Sequence, residues 1–306
     1  MIKNPLNKII ASFSKKEKIS IISQDKNEKL SEFINFQEVE KVYKELNSLI
    51  GLDNIKELVK EIKAFVIIDQ KRKEKNLFTE PLVFHMIFSG SPGTGKTTVA
   101  RILGKLFSSL HILDSGHIIE VERADLVGEF VGQTAQKVKS KVEEALGGIL
   151  FIDEAYSLAR GGKKDFGKEA IDTLVKAMED HKNDFILILA GYKEEMEYFL
   201  MSNPGLKSRF PIYLEFRDYS IEQLMQIAEI IAQKRQYQIT LEGKRALYNI
   251  LLRNQLTNDN RNYGNAREVR NIIEKAIRKQ ALRLSNHHYL SKEDLIYLKA
   301  DDFKRL

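Results

Sequence analysis

The sequence predicts an α/β fold: a parallel β-sheet flanked by helices, followed by a small all-helical domain. Three observations lead there. Short apolar runs, "VFHMIFS" (83–89), "ILFI" (149–152), "FILILA" (185–190) and "PIYLEF" (211–216), alternate with helix-like stretches. That is the pattern of strands buried on both faces. A glycine-rich "GSPGTGKTT" (90–98) joins the first run to "VARILGKLF". From about Asp218 the strand-like runs stop, and residues 219–300 read as helices only.

Residues 1–44 form an N-terminal segment with no motif, partly helical or disordered. Residues 1–30 hold seven lysines against Glu17, Asp25 and Glu28, and so most of the chain's net charge of +6. The remainder is close to neutral, so the excess reads as a solvated leader. A nucleic-acid reader would carry its basic stripe on the folded part. The α/β domain is expected over 45–217 and the helical domain over 218–306. In the first helical stretch Leu58, Ile62, Phe65, Val66 and Ile68 recur at helical spacing, and Pro81 stops it. After the glycine-rich segment come a helix (97–108), a short strand near "HIIEV" (117–121) and a helix from "TAQKVKSKVEEAL". Val138, Val142, Ala145 and Leu146 share a face of that last helix, which Gly147 and Gly148 close. A further helix carries Ile171, Leu174, Val175 and Met178 on one side.

Composition narrows the class. Among 306 residues, 43% are apolar and 30% charged, ordinary for a globular chain. No cysteine is present, which excludes disulfides and thiolate metal sites. The apolar runs are far too short to span a bilayer, and the N-terminus is broken by lysines where a signal peptide needs an apolar core. The expected location is the cytoplasm. The six histidines show no metal-ligand spacing with carboxylates, so no metal is assigned beyond Mg²⁺.

"GSPGTGKT" fits the phosphate-loop pattern at every fixed position: Gly90, Gly95, Lys96 and Thr97. Its glycines let the backbone curl until several N–H groups point at one spot, and the following helix aims its N-terminus there. Pro92, Gly93, Thr94, Gly95, Lys96, Thr97 and Thr98 are the candidate nucleotide-binding residues. Lys96 adds a mobile charge for the β- and γ-phosphates, and Thr97 offers a hydroxyl to Mg²⁺. In "GGILFIDE" an acidic pair, Asp153 and Glu154, ends a buried strand. Such a pair is costly without cationic partners. In this fold class the first carboxylate holds Mg²⁺ and the second polarises the attacking water. A pure binder needs no second acid, so the two motifs argue for ATP hydrolysis.

With these motifs the chain resembles the AAA+ ATPases. The likeness is closest to the subfamily of sporulation protein K, the red-type Rubisco activases and the C-terminal domains of type VII secretion ATPases. It rests on "IGLDNIK" (50–56), "GSPGTGKTTVARILGKLF" (90–107), "ERADLVGEFVGQTAQK" (122–137), the stretch 147–180, "FILILAGY" (185–192), "NPGLKSRFP" (203–211) and "GNAREVRN" (264–271). The resemblance implies that Ile50 and Gly51 line the adenine. It implies that Arg209 is an arginine finger reaching a neighbour's ATP, and that Arg267 is a lid arginine sensing the γ-phosphate. The competing readings are an ordinary arginine ahead of a strand and a solvated arginine at a helix start.

Many AAA+ proteins carry a polar residue at the end of the third long strand, where this chain has Gly191 and Tyr192. Phe130, Val131 and Gly132 in "EFVGQT" look like the family's first pore loop, an apolar tip suited to extended polypeptide. The competing reading packs Phe130 in the core. Lys163 and Lys164, in a possible second pore contact, read as solvated.

The resemblance thus implies a homo-oligomeric ring of six that remodels or threads an unidentified protein partner, in spore formation. The alternatives are a nucleic-acid motor or loader of the same fold, and a nucleotide-dependent assembly switch. The near-neutral folded region counts against the first, the intact acidic pair against the second.

Overall fold

A computed structural model describes residues 36–80, 82–161, 165–257, 264–285, 287 and 289–304. Lys163, Lys164 and residues 1–35 lie outside the described residues. The chain opens with α1 (Phe36–Asn47) and α2 (Asp53–Glu74), then alternates: β1 (Met86–Gly90), α3 (Lys96–Ser109), β2 (Ile118–Val121), a single turn α4 (Arg123–Leu126), α5 (Gln133–Ala145), β3 (Ile149–Ile152), α6 (Gly167–Asp180), β4 (Ile186–Gly191), α7 (Lys193–Ser202), α8 (Pro204–Lys207) and β5 (Ile212–Phe216). The boundary expected at 44/45 falls inside α1, whose Val39, Val42 and Leu46 are part of the core.

The five strands form one parallel sheet in the order β2-β3-β4-β1-β5. Every residue of β3 and β4 is buried. This is why those runs show no alternation in sequence: each face of the sheet has its own helical layer. Successive residues feed opposite cores. Phe88, Phe151, Ile188 and Phe216 point toward α1, α2 and α3, whereas Ile87, Leu150, Ile152 and Leu189 point toward α5, α6 and α7.

Two expectations need correction. In α2 the buried residues are Ile55, Val59, Ile62 and Val66, while Phe65 and Ile68 are exposed. The segment has apolar residues around most of its circumference, and packing against α1 and the sheet selects the face. The C-terminal domain is not helices alone. It contains α9 (Ile221–Lys234), α10 (Leu241–Thr257), α11 (Asn265–Leu284) and the short α12 (Lys292–Ile296), but also β6 (Gln238–Ile239) and β7 (Tyr297–Leu298), which pair in parallel. Two-residue strands leave no periodicity to read. Gln280 of α11 braces this pair by donating from Nε2 to the carbonyls of Asp294, Leu295 and Tyr297. Leu224, Leu247, Leu251, Ile273 and Phe303 form the domain's separate core.

His85, just ahead of β1, is 2% exposed. Its Nδ1 accepts the Leu187 N–H at 3.0 Å, which puts the ring proton on Nε2, an atom without a partner among the described residues. Burial pushes its pKa from 6.5 down to about 4. The unfolded chain therefore takes up this proton at higher pH than the folded one. The group's stabilisation is complete above the unfolded value and is lost as pH falls toward the folded one, by up to about 3 kcal/mol. The urea midpoint is expected to drop between about pH 7 and about pH 5. His85→Gln, which keeps an acceptor for Leu187, should flatten that dependence. An unchanged slope would show that His85 does not carry it.

Candidate active site

The site sits beyond the C-terminal ends of β1, β3 and β4, where the chain leaves β4 and crosses over β1 to reach β5 on its far side. A cavity of about 370 Å³ opens there. Its floor is the phosphate loop. The loop leaves β1 at Gly90, where a Cβ would come within 2.2 Å of the Phe216 carbonyl of β5. At Gly93 the backbone has φ +73, and a Cβ would stand 2.2 Å from the carbonyl of Gly264. Only glycine permits these two approaches. The loop ends at Gly95, the N-cap of α3.

Lys96 extends from the first residue of α3 back over the loop. Its Nζ donates to the carbonyls of Gly90 at 2.8 Å and Ser91 at 2.9 Å. Burial pulls its pKa below the ordinary lysine value, with the Asp153 carboxylate acting in the opposite sense. Thr97 and Thr98 line the same cavity, as do Pro92, Gly93 and Gly95. Thr94 does not: its side chain is buried and donates to the Ser91 carbonyl at 2.8 Å, holding the loop from behind.

The acidic pair enters from β3. Asp153 still belongs to the sheet through its N–H, which donates to the Val121 carbonyl of β2 at 3.1 Å. Glu154 adopts φ +47, and its N–H donates to the Asp153 Oδ1 at 3.0 Å. This left-handed residue turns the chain sharply and leaves the Glu154 carboxylate exposed at the cavity wall. Thr97 and Asp153 thus bring a hydroxyl and a carboxylate to one cavity, hard oxygen donors that suit Mg²⁺. Gly191 and Tyr192 at the end of β4 complete the wall. The Tyr192 ring packs on Tyr156 with centroids 6.1 Å apart. Burial and the Glu154 charge push the Tyr156 phenol up to about 12.

Arg267 lines the cavity from α11. Two lid residues that the motifs did not single out hold that helix against the loop. Asn265, 1% exposed, donates from Nδ2 to Asp218 Oδ1 at 2.8 Å and accepts the Tyr219 N–H at 2.9 Å. The Tyr219 hydroxyl donates to the Thr94 carbonyl at 3.0 Å, and the Ala266 N–H to the Gly93 carbonyl at 3.1 Å. Asn265 lies inside "GNAREVRN", so the signal was at hand. Tyr219 carried none.

Other expected residues lie outside this cavity. Ile50 and Gly51 occupy the α1–α2 turn, with Gly51 facing Tyr219 and Gln223 of the lid. Arg209 follows α8. Its Nη1 donates to the Gly205 carbonyl at 2.6 Å and its Nη2 to Glu179 of α6. Phe130 is 66% exposed and Val131 86%, which rules out the core for Phe130. Gly132, φ +85, caps α5, and the loop's base is tied by the Gly128 N–H to the buried Thr134 hydroxyl at 2.9 Å. A further cavity joins that base, at Val127, Gly128 and Glu129, to Asp153 and Glu154. Among the described residues no group of three metal-ligating side chains occurs, and no helix is long and apolar enough to cross a membrane.

Comparison with known proteins agrees with this geometry. Residues 86–218 match the ATPase family associated with various cellular activities (AAA), and residues 220–305 match the AAA lid domain. Stage V sporulation protein K of Bacillus subtilis (strain 168) is 53% identical, over 86% of this chain and 82% of its own length. The chloroplastic ribulose bisphosphate carboxylase/oxygenase activase of Cyanidioschyzon merolae is 41% identical, over 83% of this chain and 87% of its own. In fold, the crystal structure of the FIGL-1 AAA domain matches with a TM-score of 0.56 at 18% identity, covering 84% of this chain and 80% of that one. The chain belongs to the AAA family of ATPases, in the branch that includes stage V sporulation protein K.

Proposed function

We propose that this ATPase assembles into a homo-oligomeric ring, of six by family resemblance, and uses hydrolysis of Mg-ATP to thread or remodel a protein partner during spore formation. Lys96 and the loop N–H groups hold the phosphates, Thr97 and Asp153 hold Mg²⁺, and Glu154 orients and polarises the water. The metal, when bound, neutralises charge developing on the phosphates. Arg209 acts on the neighbour's nucleotide and Arg267 on the chain's own. Ile50 and Gly51 lie along the adenine.

The observation that carries the remodelling part is the Phe130–Val131 tip. It is an exposed apolar knob on a loop whose base shares a cavity with Asp153 and Glu154. A large apolar side chain held in water is matched by a polypeptide client, whereas a phosphate-tracking channel would present lysine or arginine.

Complementation of a B. subtilis strain lacking stage V sporulation protein K tests both parts. The unaltered chain should restore spore formation; failure would remove the sporulation assignment. Phe130→Ala should keep basal ATP hydrolysis within about twofold, because the side chain touches no catalytic group, yet fail to complement. Full complementation by Phe130→Ala would remove the loop from the mechanism.

A further inference from the structure

The phosphate cavity holds more cations than the motifs assign. Lys96 and Arg267 line it, and so do Arg101 of α3 and Arg270 of α11. Four cationic side chains thus face the two carboxylates of Asp153 and Glu154, a surplus of positive charge that a polyphosphate would offset.

The four differ in how firmly they are engaged. Lys96 is anchored to the loop carbonyls. Arg101 is held by Glu120 of β2, through Nε at 2.8 Å and Nη2 at 2.6 Å. The Arg267 and Arg270 side chains make no hydrogen bond or ion pair among the described residues. The carboxylate near Arg270, Glu274 one turn further along α11, accepts instead from Arg235 at 2.7 Å. Arg267 and Arg270 are three residues apart, so they project from the same side of α11. The start of that helix is fixed on the loop by the Ala266 N–H to Gly93 and by Asn265. Two exposed guanidinium groups are therefore presented to the cavity by a rigid element of the lid.

We propose that Arg270 is a second lid arginine of the nucleotide site, which with Arg267 recognises the terminal phosphate and makes the site prefer a nucleoside triphosphate to the diphosphate. This rests on the phosphate-loop reading above and extends it to selectivity. A triphosphate brings one more unit of negative charge and more oxygens than a diphosphate, and a guanidinium can engage two oxygens at once. Since both arginines ride on the lid, the ligand that satisfies both also holds lid and loop together. By linkage, the lid state that brings Arg270 to the phosphates is the state the triphosphate selects.

The test compares the full chain, Arg270→Ala, Arg270→Lys and Lys96→Ala for binding of fluorescent ADP and of a fluorescent non-hydrolysable ATP analogue, with magnesium. Arg270→Ala should weaken the triphosphate analogue about tenfold and ADP by less than about twofold. Arg270→Lys should recover part of the difference, since it keeps charge but not the bidentate fork. Arg270 is exposed, so the melting temperature without nucleotide should be unchanged, which separates lost contact from lost folding. Equal weakening of both nucleotides, or none, alongside severe loss in Lys96→Ala would overturn the role of Arg270. Wild-type binding by Lys96→Ala would overturn the phosphate-loop reading and this inference with it.

Discussion

Glu154→Gln is expected to slow ATP hydrolysis by at least about a hundredfold while nucleotide affinity stays within a few-fold of the wild type. The side chain keeps its size and its place after β3, where φ +47 turns the backbone and the N–H is held by Asp153. On the role proposed above, what it loses is the ability to accept a proton from, or polarise, the attacking water. The remaining cradle of Lys96, Thr97 and the loop N–H groups is untouched, so the variant should hold ATP and stall. Single-turnover hydrolysis and equilibrium binding measured side by side separate the two. Hydrolysis at the wild-type rate would strip Glu154 of its role and leave the water without a base on this wall of the cavity.

The second large effect is expected at Arg209. Its guanidinium is absent from the wall of its own chain's cavity and is steadied by Gly205 and Glu179. A cation outside its own chain's cavity acts on a nucleotide only if another subunit brings one to it. Arg209→Ala should lower turnover by about a thousandfold or more, the range for loss of an arginine finger. It should leave binding of ATP to the isolated subunit unchanged. Mixing Arg209→Ala with wild-type protein should depress activity more than dilution alone, since each altered subunit disables a neighbour. Activity that falls only in proportion to the wild-type fraction would place Arg209 outside the neighbour's site.

Legibility of the fold tracked burial. Strands β3 and β4 are covered on both faces, so "ILFI" and "FILILA" stood out as unbroken apolar runs, and the phosphate loop followed a run of the same kind. Where an element had more than one apolar side, as in α2, composition could not say which face the neighbours would cover. The β6–β7 pair was invisible because it joins residues nearly sixty positions apart with two residues on each side. The site divides the same way. Residues whose chemistry depends on local spacing, Lys96, Thr97, Asp153 and Glu154, were legible and converge on one cavity. Tyr219 was not, because its role comes from reaching the Thr94 carbonyl across 125 positions. Arg101 and Arg270 likewise became visible only when two helices from different domains faced one space.

The contacts between lid and loop have an electrical consequence. The carbonyls of Gly93 and Thr94 are occupied from outside by Ala266 and Tyr219. A peptide whose oxygen is tethered on one side has its N–H committed to the other. The C-terminal domain therefore orients dipoles that lie in a different domain with a different core, and the two halves contribute to a single field at the loop.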